Sequence, residues 1–557
     1  MDRRSGLVLL AVFGTGVFLA GLELMITAVA LPSILADLVT PTGGSSWLEL
    51  RKASWIVNGY LLVYVVTMPL AGRLADLWGT RRLLLAALGV FVFGSGLAGA
   101  SQDLDQLIAA RLIQAAGGGV LVPVATAAAS HLFDGHARPR AIGVVSALTF
   151  LGMAAGPFVG AAVLGSIHIE GAVGRLGLTE TALPAFLGPA WRWVFYINVP
   201  IGLAALALAW AASSGWETPR RRGSVDLFGA ALFSVALSTG LIGLTLIGST
   251  TIGDTGIEPD VVTAALATMA LAATVLTVVR GLRRDDPFLD PRLFRSITFS
   301  SAALVSLLTG YAFATAIIGG AVFVDRVLYG GPDEQRLALG ALAGATALGA
   351  LVSGFAVRVL SLRLVTLVGL GLSVGGLVAM SRWDPSVGIG TVALGLAGYG
   401  FGFGLTVTPR STAAVEAAGR RSFGVASAVV TVARMVGMAV GLAILSGYGS
   451  TTIDRLYDEV YATPEAYQAI IPAELRDRPL RDPFVVEALE VWASREAAGI
   501  MVGLFLVAAA LTIVAIPPAL ALGGRRRMLA SERGAGRVLG GGPEPDGLDE
   551  RDASLAL

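Results

Sequence analysis

Two ionisable residues of opposite sign stand inside long apolar runs. Glu23 lies in Gly21-Leu22-Glu23-Leu24-Met25 and Arg434 in Val432-Ala433-Arg434-Met435. Counted from the middle of its run, Glu23 is on the order of 6 Å from the midplane at 1.5 Å per residue, and Arg434 is close to the centre of its own. A charge so deep needs a partner or a wet cavity, and it marks an ion or substrate path by default. Paired with a guanidinium, Glu23 stays ionised; deprived of it, the carboxyl rises in pKa and takes a proton. The expected chemistry is proton carriage by Glu23 with Arg434 as its counter-charge, and the alternative is a permanent ion pair that fixes helix packing. Arg111 and Gln114, three residues apart in a third run, are expected either to line a cavity or to pack an interface.

A second constellation is the loop Gly72-Arg73-Leu74-Ala75-Asp76-Leu77-Trp78-Gly79-Thr80-Arg81-Arg82. Glycines at 72 and 79 allow a tight turn between spans, and Asp76 among arginines can make charge-assisted bonds that hold one conformation of that face. A plain polar loop would explain the arginines but not the aspartate at its spacing from both glycines.

The elements that position these residues follow from composition. The chain has 557 residues, 55% hydrophobic and only 14% charged, where a soluble domain carries about 25% charged residues. A crossing uses about 20 apolar residues, and about fourteen runs of that length occur between Leu7 and Leu522. Arginines cluster on alternate loops: Arg3 and Arg4, Arg81 and Arg82, Arg138 and Arg140, Arg220 to Arg222, Arg283 and Arg284, Arg358 and Arg363, Arg420 and Arg421, Arg525 to Arg527. The positive-inside rule makes those loops and both termini cytoplasmic. The nine tryptophans fall in loops or near run ends, as an interfacial belt requires.

Several chemistries are excluded. Cysteine is absent, so there are no disulfides, thiolate metal sites or cysteine nucleophiles. The only lysine, Lys52, follows Arg51, so no Gly-Lys-Ser/Thr phosphate loop exists and any transport energy comes from an ion gradient or a partner. Net charge is +1, which gives no reason to expect nucleic acid. Gly94 to Gly99 and Gly371 to Gly375 imitate a dinucleotide fingerprint and a nucleophile elbow but lie mid-span. His131, His136 and His168 form no metal-ligand spacing. No catalysis, metal or cofactor is expected.

The chain also repeats itself. Arg140-Ala-Ile-Gly143-Val-Val-Ser146-Ala147 returns as Arg421-Ser-Phe-Gly424-Val-Ala-Ser427-Ala428, each followed by Gly-Met-Ala-x-Gly at 152–156 and 437–441; Pro123-x-x-Thr126 returns as Pro409-x-x-Thr412. Such duplication marks transporters built of two rocking halves. The expected division is a six-helix bundle at 1–212, two linker spans at 213–296, a second six-helix bundle at 297–524 and a disordered cytoplasmic tail at 525–557. Within the second bundle the charged stretch 448–496 is expected outside the cytoplasm as a pair of amphipathic helices, with Ile453, Leu456, Tyr457, Val460 and Tyr461 on one face and Val485, Leu489 and Trp492 on another.

These motifs resemble those of the major facilitator superfamily. The 72–82 loop is similar to its Gly-x-Leu-Ala-Asp-x-x-Gly-Arg-Arg signature, with Leu77 and Thr80 in place of basic residues and Arg358 where the second half would repeat Asp76. Arg111-Leu-Ile-Gln114 resembles the family's fourth-span motif, with Ala115 replacing glycine. Gly152, Gly156, Pro157 and Gly160 look like its antiporter motif, and Trp191 to Gly202, including Asn198 and Pro200, like the start of the sixth span in the fourteen-span drug/proton antiporters. Within that family the chain looks most like the mycobacterial lipid exporters that work with a periplasmic triacylglycerol-binding lipoprotein; there a further acid stands where this chain has Phe150. The resemblance implies an all-α fold of two pseudo-symmetric six-helix bundles with two inserted helices. It also implies proton-coupled export of a hydrophobic or amphipathic molecule, lipid or drug, across a bacterial inner membrane. A monomer is expected, with a periplasmic lipoprotein as partner. The competing readings are a drug pump with no lipid role and a non-transporting membrane scaffold for such a lipoprotein.

Overall fold

The computed structural model describes residues 3–38, 55–166 apart from 136, 186–216 apart from 214 and 215, 226–246, 259–419 apart from 286, 422–461, and most of 468–523. The tail at 525–557, the arginines at 220–222, 420–421 and 525–527, and the side chains of 453–461 lie outside the described residues.

Among the described residues, fourteen helices are long and apolar enough to span a bilayer. They are α1 (Arg3–Leu38), α2 (Trp55–Trp78), α3 (Thr80–Ala100), α4 (Leu104–Leu132), α5 (Ala137–Ser166) and α6 (Arg192–Ala212). Then come α7 (Leu227–Leu246), α8 (Pro259–Arg283), α9 (Ile297–Val322), α10 (Pro332–Ala356), α11 (Leu362–Met380), α12 (Ile389–Ala418), α13 (Phe423–Tyr461) and α14 (Pro483–Val514). In lipid every backbone polar group must be satisfied within the segment, which is why these apolar runs are helical. Local signals set the ends: Asp103 caps α4 through Gln106 N–H at 2.8 Å, Ser361 caps α11 through Leu364 N–H at 3.2 Å, and Gly79, at φ 92, turns the chain between α2 and α3.

Packing repeats between α1–α6 and α9–α14. Helix α1 lies along α5 as α9 lies along α13, α2 along α4 as α10 along α12, and α3 along α4 as α11 along α12. The two bundles meet through α5 against α10 and α2 against α13. The duplicated glycines do the same work in each. A β-carbon on Gly152 would overlap the Phe18 carbonyl of α1, and one on Gly437 would overlap the Leu307 carbonyl of α9. Helices α7 and α8 form a separate hairpin that leans on α2 and α13 through Phe233, Leu237 and Leu241, while Leu271, Val275 and Leu276 of α8 stay exposed on the lipid-facing side.

Asp226 closes that hairpin. It accepts from Gly229 N–H at 3.0 Å and pairs with Arg280 at 2.8 Å and Arg284 at 3.5 Å. Burial alone would raise its pKa, but the hydrogen bonds from Arg280 and Gly229 and the two positive charges hold it below the ordinary carboxylate value. A depressed folded-state pKa gives stability that is present above the unfolded pKa and is lost as pH falls through the folded one. Asp226→Asn is therefore expected to lower the thermal midpoint at pH 7 and to become indistinguishable from wild type in strong acid; an equal difference at both pH values would contradict this.

Several helices are longer than a bilayer core of about 30 Å requires, α1 among them with 36 residues. Helix α13 has 39 residues and α14 has 32. In the projecting turn of α14, Val485 is buried and Leu489 and Trp492 half-buried, whereas Val486, Glu487 and Glu490 are exposed, as the amphipathic pattern requires.

Candidate functional site

The first bundle is organised around Glu23. Gly21 lets α1 press against the Thr149 carbonyl of α5, and Gly156 and Gly160 of α5 receive Met25 and Ile26 of α1. Glu23 is thereby fixed at a helix crossing with no solvent exposure. Its Oε1 accepts from the Arg111 guanidinium of α4 in a short ion pair and from the Thr27 hydroxyl at 3.0 Å; its Oε2 accepts from Asn198 Nδ2 of α6 at 2.7 Å. Arg111 also donates to Gln114 Oε1 at 2.6 Å and to the Ile56 carbonyl of α2 at 3.3 Å, and it lies 4.0 Å above the Tyr60 ring. Gln114 passes the chain on to Ser95 of α3 at 2.7 Å. Asn198 owes its place to a break in α6: Pro200 has no N–H to give the Tyr196 carbonyl, and the helix is interrupted by a turn at Ile197.

Arg111, Gln114 and Asn198 thus converge on Glu23, each 1% exposed or less. Gly152, Gly156 and Gly160, with Pro157 in the same helix, act as the close-packed wall that sets Glu23 at its depth. Arg434 is elsewhere. It projects from α13 in the second bundle, with its guanidinium carbon 5.5 Å above the Phe150 ring, and makes no ion pair with Glu23 in this conformation. The pair expected between Glu23 and Arg434 is replaced by Glu23 and Arg111, because α4 faces α1 inside one bundle whereas α13 faces α1 only across the other. Arg410 is a functional candidate that sequence reading passed over. Helix α12 runs ten residues beyond the end of its apolar run at Thr408, so an arginine that reads as a loop residue is in fact 1% exposed.

The arginine-rich face is shut by a second device. Asp76 Oδ1 accepts from Gly424 N–H at 2.9 Å and Oδ2 from Val425 N–H at 3.1 Å, both free donors of the first turn of α13. Gly72 permits it, since a β-carbon there would stand 2.5 Å from the Gly424 carbonyl oxygen. Arg81 Nε donates to Ser213 Oγ at 2.7 Å and ties the turn to the end of α6; Arg82 is exposed. Beside this clamp α5 and α10 touch at Gly143 and Gly354. Asp76→Asn removes the charge from a helix N-terminus, an interaction of about 1–2 kcal/mol, and the expected shift toward a conformation open on this face is about 5- to 30-fold. Because the chain has no cysteine, single introduced cysteines on α2 and α13 can report the opening by labelling rate; unchanged rates would count against the clamp.

Two bundles of matching packing joined by a linker hairpin, with a buried acid in one of them, define a multi-pass membrane transporter rather than an enzyme. The chain belongs to the Major Facilitator Superfamily, whose sequence profile matches residues 13–442. It is 30% identical to a triacylglyceride transporter of Mycolicibacterium hassiacum over 83% of this chain and 83% of that one. It is 28% identical to the methylenomycin A resistance protein of Bacillus subtilis over 79% of this chain and 87% of that one. The fold matches that of the proton:xylose symporter of E. coli with a TM-score of 0.55 at 12% identity, covering 92% of this chain and 95% of that one.

Proposed function

We propose that this protein exports a hydrophobic or amphipathic molecule across a bacterial inner membrane, with both termini cytoplasmic, in exchange for protons. Residues 1–212 and 297–524 are the bodies that rock, and 213–296 link them. The observation that carries the reading is the fully buried Glu23, whose two oxygens are held by one cation and two neutral donors. With the bundles clamped by Asp76, the carboxylate is paired with Arg111. When the bundles part on the opposite face, water reaches this pair within the first bundle, Glu23 takes up a proton from that side, and the reverse motion delivers it inward. Arg434 faces Phe150 of α5 across the bundle interface, so its surroundings would change in that motion.

Lipid is the favoured cargo. The mycobacterial relative is named for triacylglycerides, and α13 and α14 project beyond the bilayer, where a water-insoluble product needs a shielded path to an acceptor such as a periplasmic lipoprotein. Export of a soluble drug is the second reading, favoured by the antibiotic-resistance relative.

The deciding experiment reconstitutes the full chain in liposomes under an imposed pH gradient and follows triacylglycerol and a soluble dye. Deleting Thr451 to Glu490 is expected to abolish lipid export and to spare dye efflux; equal loss of both would favour a general structural role for that stretch. Cargo movement unaffected by collapse of the gradient would sink proton coupling.

A further inference from the structure

Besides Arg111, the interior between the bundles holds two more guanidinium groups, Arg410 of α12 and Arg434 of α13, 1% and 9% exposed. One aromatic nest joins them. Arg410 lies 5.1 Å above Phe403 and Arg434 lies 5.5 Å above Phe150. Phe403 stacks on Phe313 at 4.3 Å, and Phe150 meets both edge-on at 5.6 and 5.9 Å.

What these arginines lack is a carboxylate. Among the described residues neither makes an ion pair; Arg410 donates to the Thr309 hydroxyl, and Arg434 makes no side-chain hydrogen bond, its buried Nε having no acceptor. Both oxygens of Glu23 are already engaged, so its charge cancels Arg111 and leaves these two buried positive charges uncompensated. Ring faces offset only part of the cost of burying an ion. Tyr399, stacked on Phe403 at 6.3 Å, adds a buried hydroxyl with no partner.

The geometry points to a site for an acidic amphiphile: Arg410 and Arg434 grip a single anionic head, carboxylate or phosphate monoester, whose apolar chain lies along Phe150, Phe313, Phe403 and Met438. The head replaces the missing carboxylate, and guanidinium forks suit planar and tetrahedral oxyanions alike. Phe313 and Phe403, together with Phe150 from the opposite bundle, form one apolar cluster with Met438 packed against it, so the tail enters hydrocarbon continuous with the head site. This deepens the export reading and rests on it for the ligand's role as cargo; binding itself does not require transport.

The test uses purified full-length chain in a neutral detergent, with the thermal midpoint followed against oleate, methyl oleate and inorganic phosphate. Oleate is expected to stabilise at a concentration at least about 10-fold below methyl oleate, the discrimination of one charge-assisted bond, with phosphate inert. Arg410→Gln and Arg434→Gln are each expected to erase that preference. Phe150→Glu, which sets an internal carboxylate against Arg434, is expected to raise the midpoint of the ligand-free protein and abolish the oleate response, separating loss of the site from misfolding. Equal response to oleate and its ester in wild type, or a preference that survives both arginine variants, overturns the site. Stabilisation by phosphate alone makes the ligand a free anion and overturns the amphiphile. Oleate flux without pH dependence would sink proton-coupled export and leave the site standing.

Discussion

Glu23→Gln is expected to reduce gradient-driven cargo flux in liposomes to that of protein-free vesicles. Among the described residues no other carboxylate is held in this network: the side chains meeting Glu23 are Arg111, Asn198 and Thr27. Glutamine keeps the size and can still accept from Asn198 or Thr27, so the cavity walls survive. It removes the counter-charge from Arg111, however, and breaking a buried pair in this way costs about 3–5 kcal/mol. A lower thermal midpoint is therefore part of the expectation, and Glu23→Asp is the control that keeps the charge. Binding retained with flux lost fits a proton carrier. Full flux in a folded Glu23→Gln protein would mean that the pair serves packing alone, and that the non-transporting scaffold deserves the same weight as the exporter.

The second large effect is structural. Gly152→Ala forces a β-carbon onto the Phe18 carbonyl, and backbone cannot yield as the end of a side chain can. Overpacking of this kind costs about 1–3 kcal/mol and occasionally more. Separating α5 from α1 also moves Glu23 relative to Asn198 and Arg111, so flux is expected to fall by more than the loss of folded protein explains. Gly371→Ala is the matched control. A β-carbon there meets nothing within 4 Å, and alanine in a helix is favoured over glycine by up to about 1 kcal/mol. Equal midpoints for the two variants would show that α1 and α5 are not locked at this crossing.

The spans and their number were legible because apolar run length is a local property, whereas the repeated glycines read as duplication, and their packing role shows only where the helices cross. Glu23 was legible for the same reason as the spans: an acid in hydrocarbon is conspicuous wherever the chain goes. Its partner was not. Opposite sign and similar depth pointed to Arg434, yet those two features are shared by Arg111, and only the facing of α4 toward α1 decides between them. Sequence alone leaves Arg111 and Gln114 open between cavity lining and packing; the crossing of four helices at Ser95, Arg111, Glu23 and Asn198 is a tertiary fact without a periodic trace. Arg410 was hidden by hydropathy itself, since polar residues after Thr408 end an apolar run without ending the helix. Asp76 was readable as a latch from its loop, but its acceptor role toward α13 depends on the chain 348 residues away.

Helix α13 combines three of these features on one rod. Its first turn is gripped by Asp76, Arg434 stands about 15 Å further along and its last turn about 55 Å from the grip, at 1.5 Å per residue. No proline interrupts it, so in the rocking proposed above it would move as one rod. Pivoting by about 10° at the gripped end sweeps Arg434 through about 3 Å and the outer tip through about 10 Å, by the same helical rise. In that proposed motion, gearing of that ratio would turn a slight shift around one guanidinium into a far larger one at the outer end of the helix.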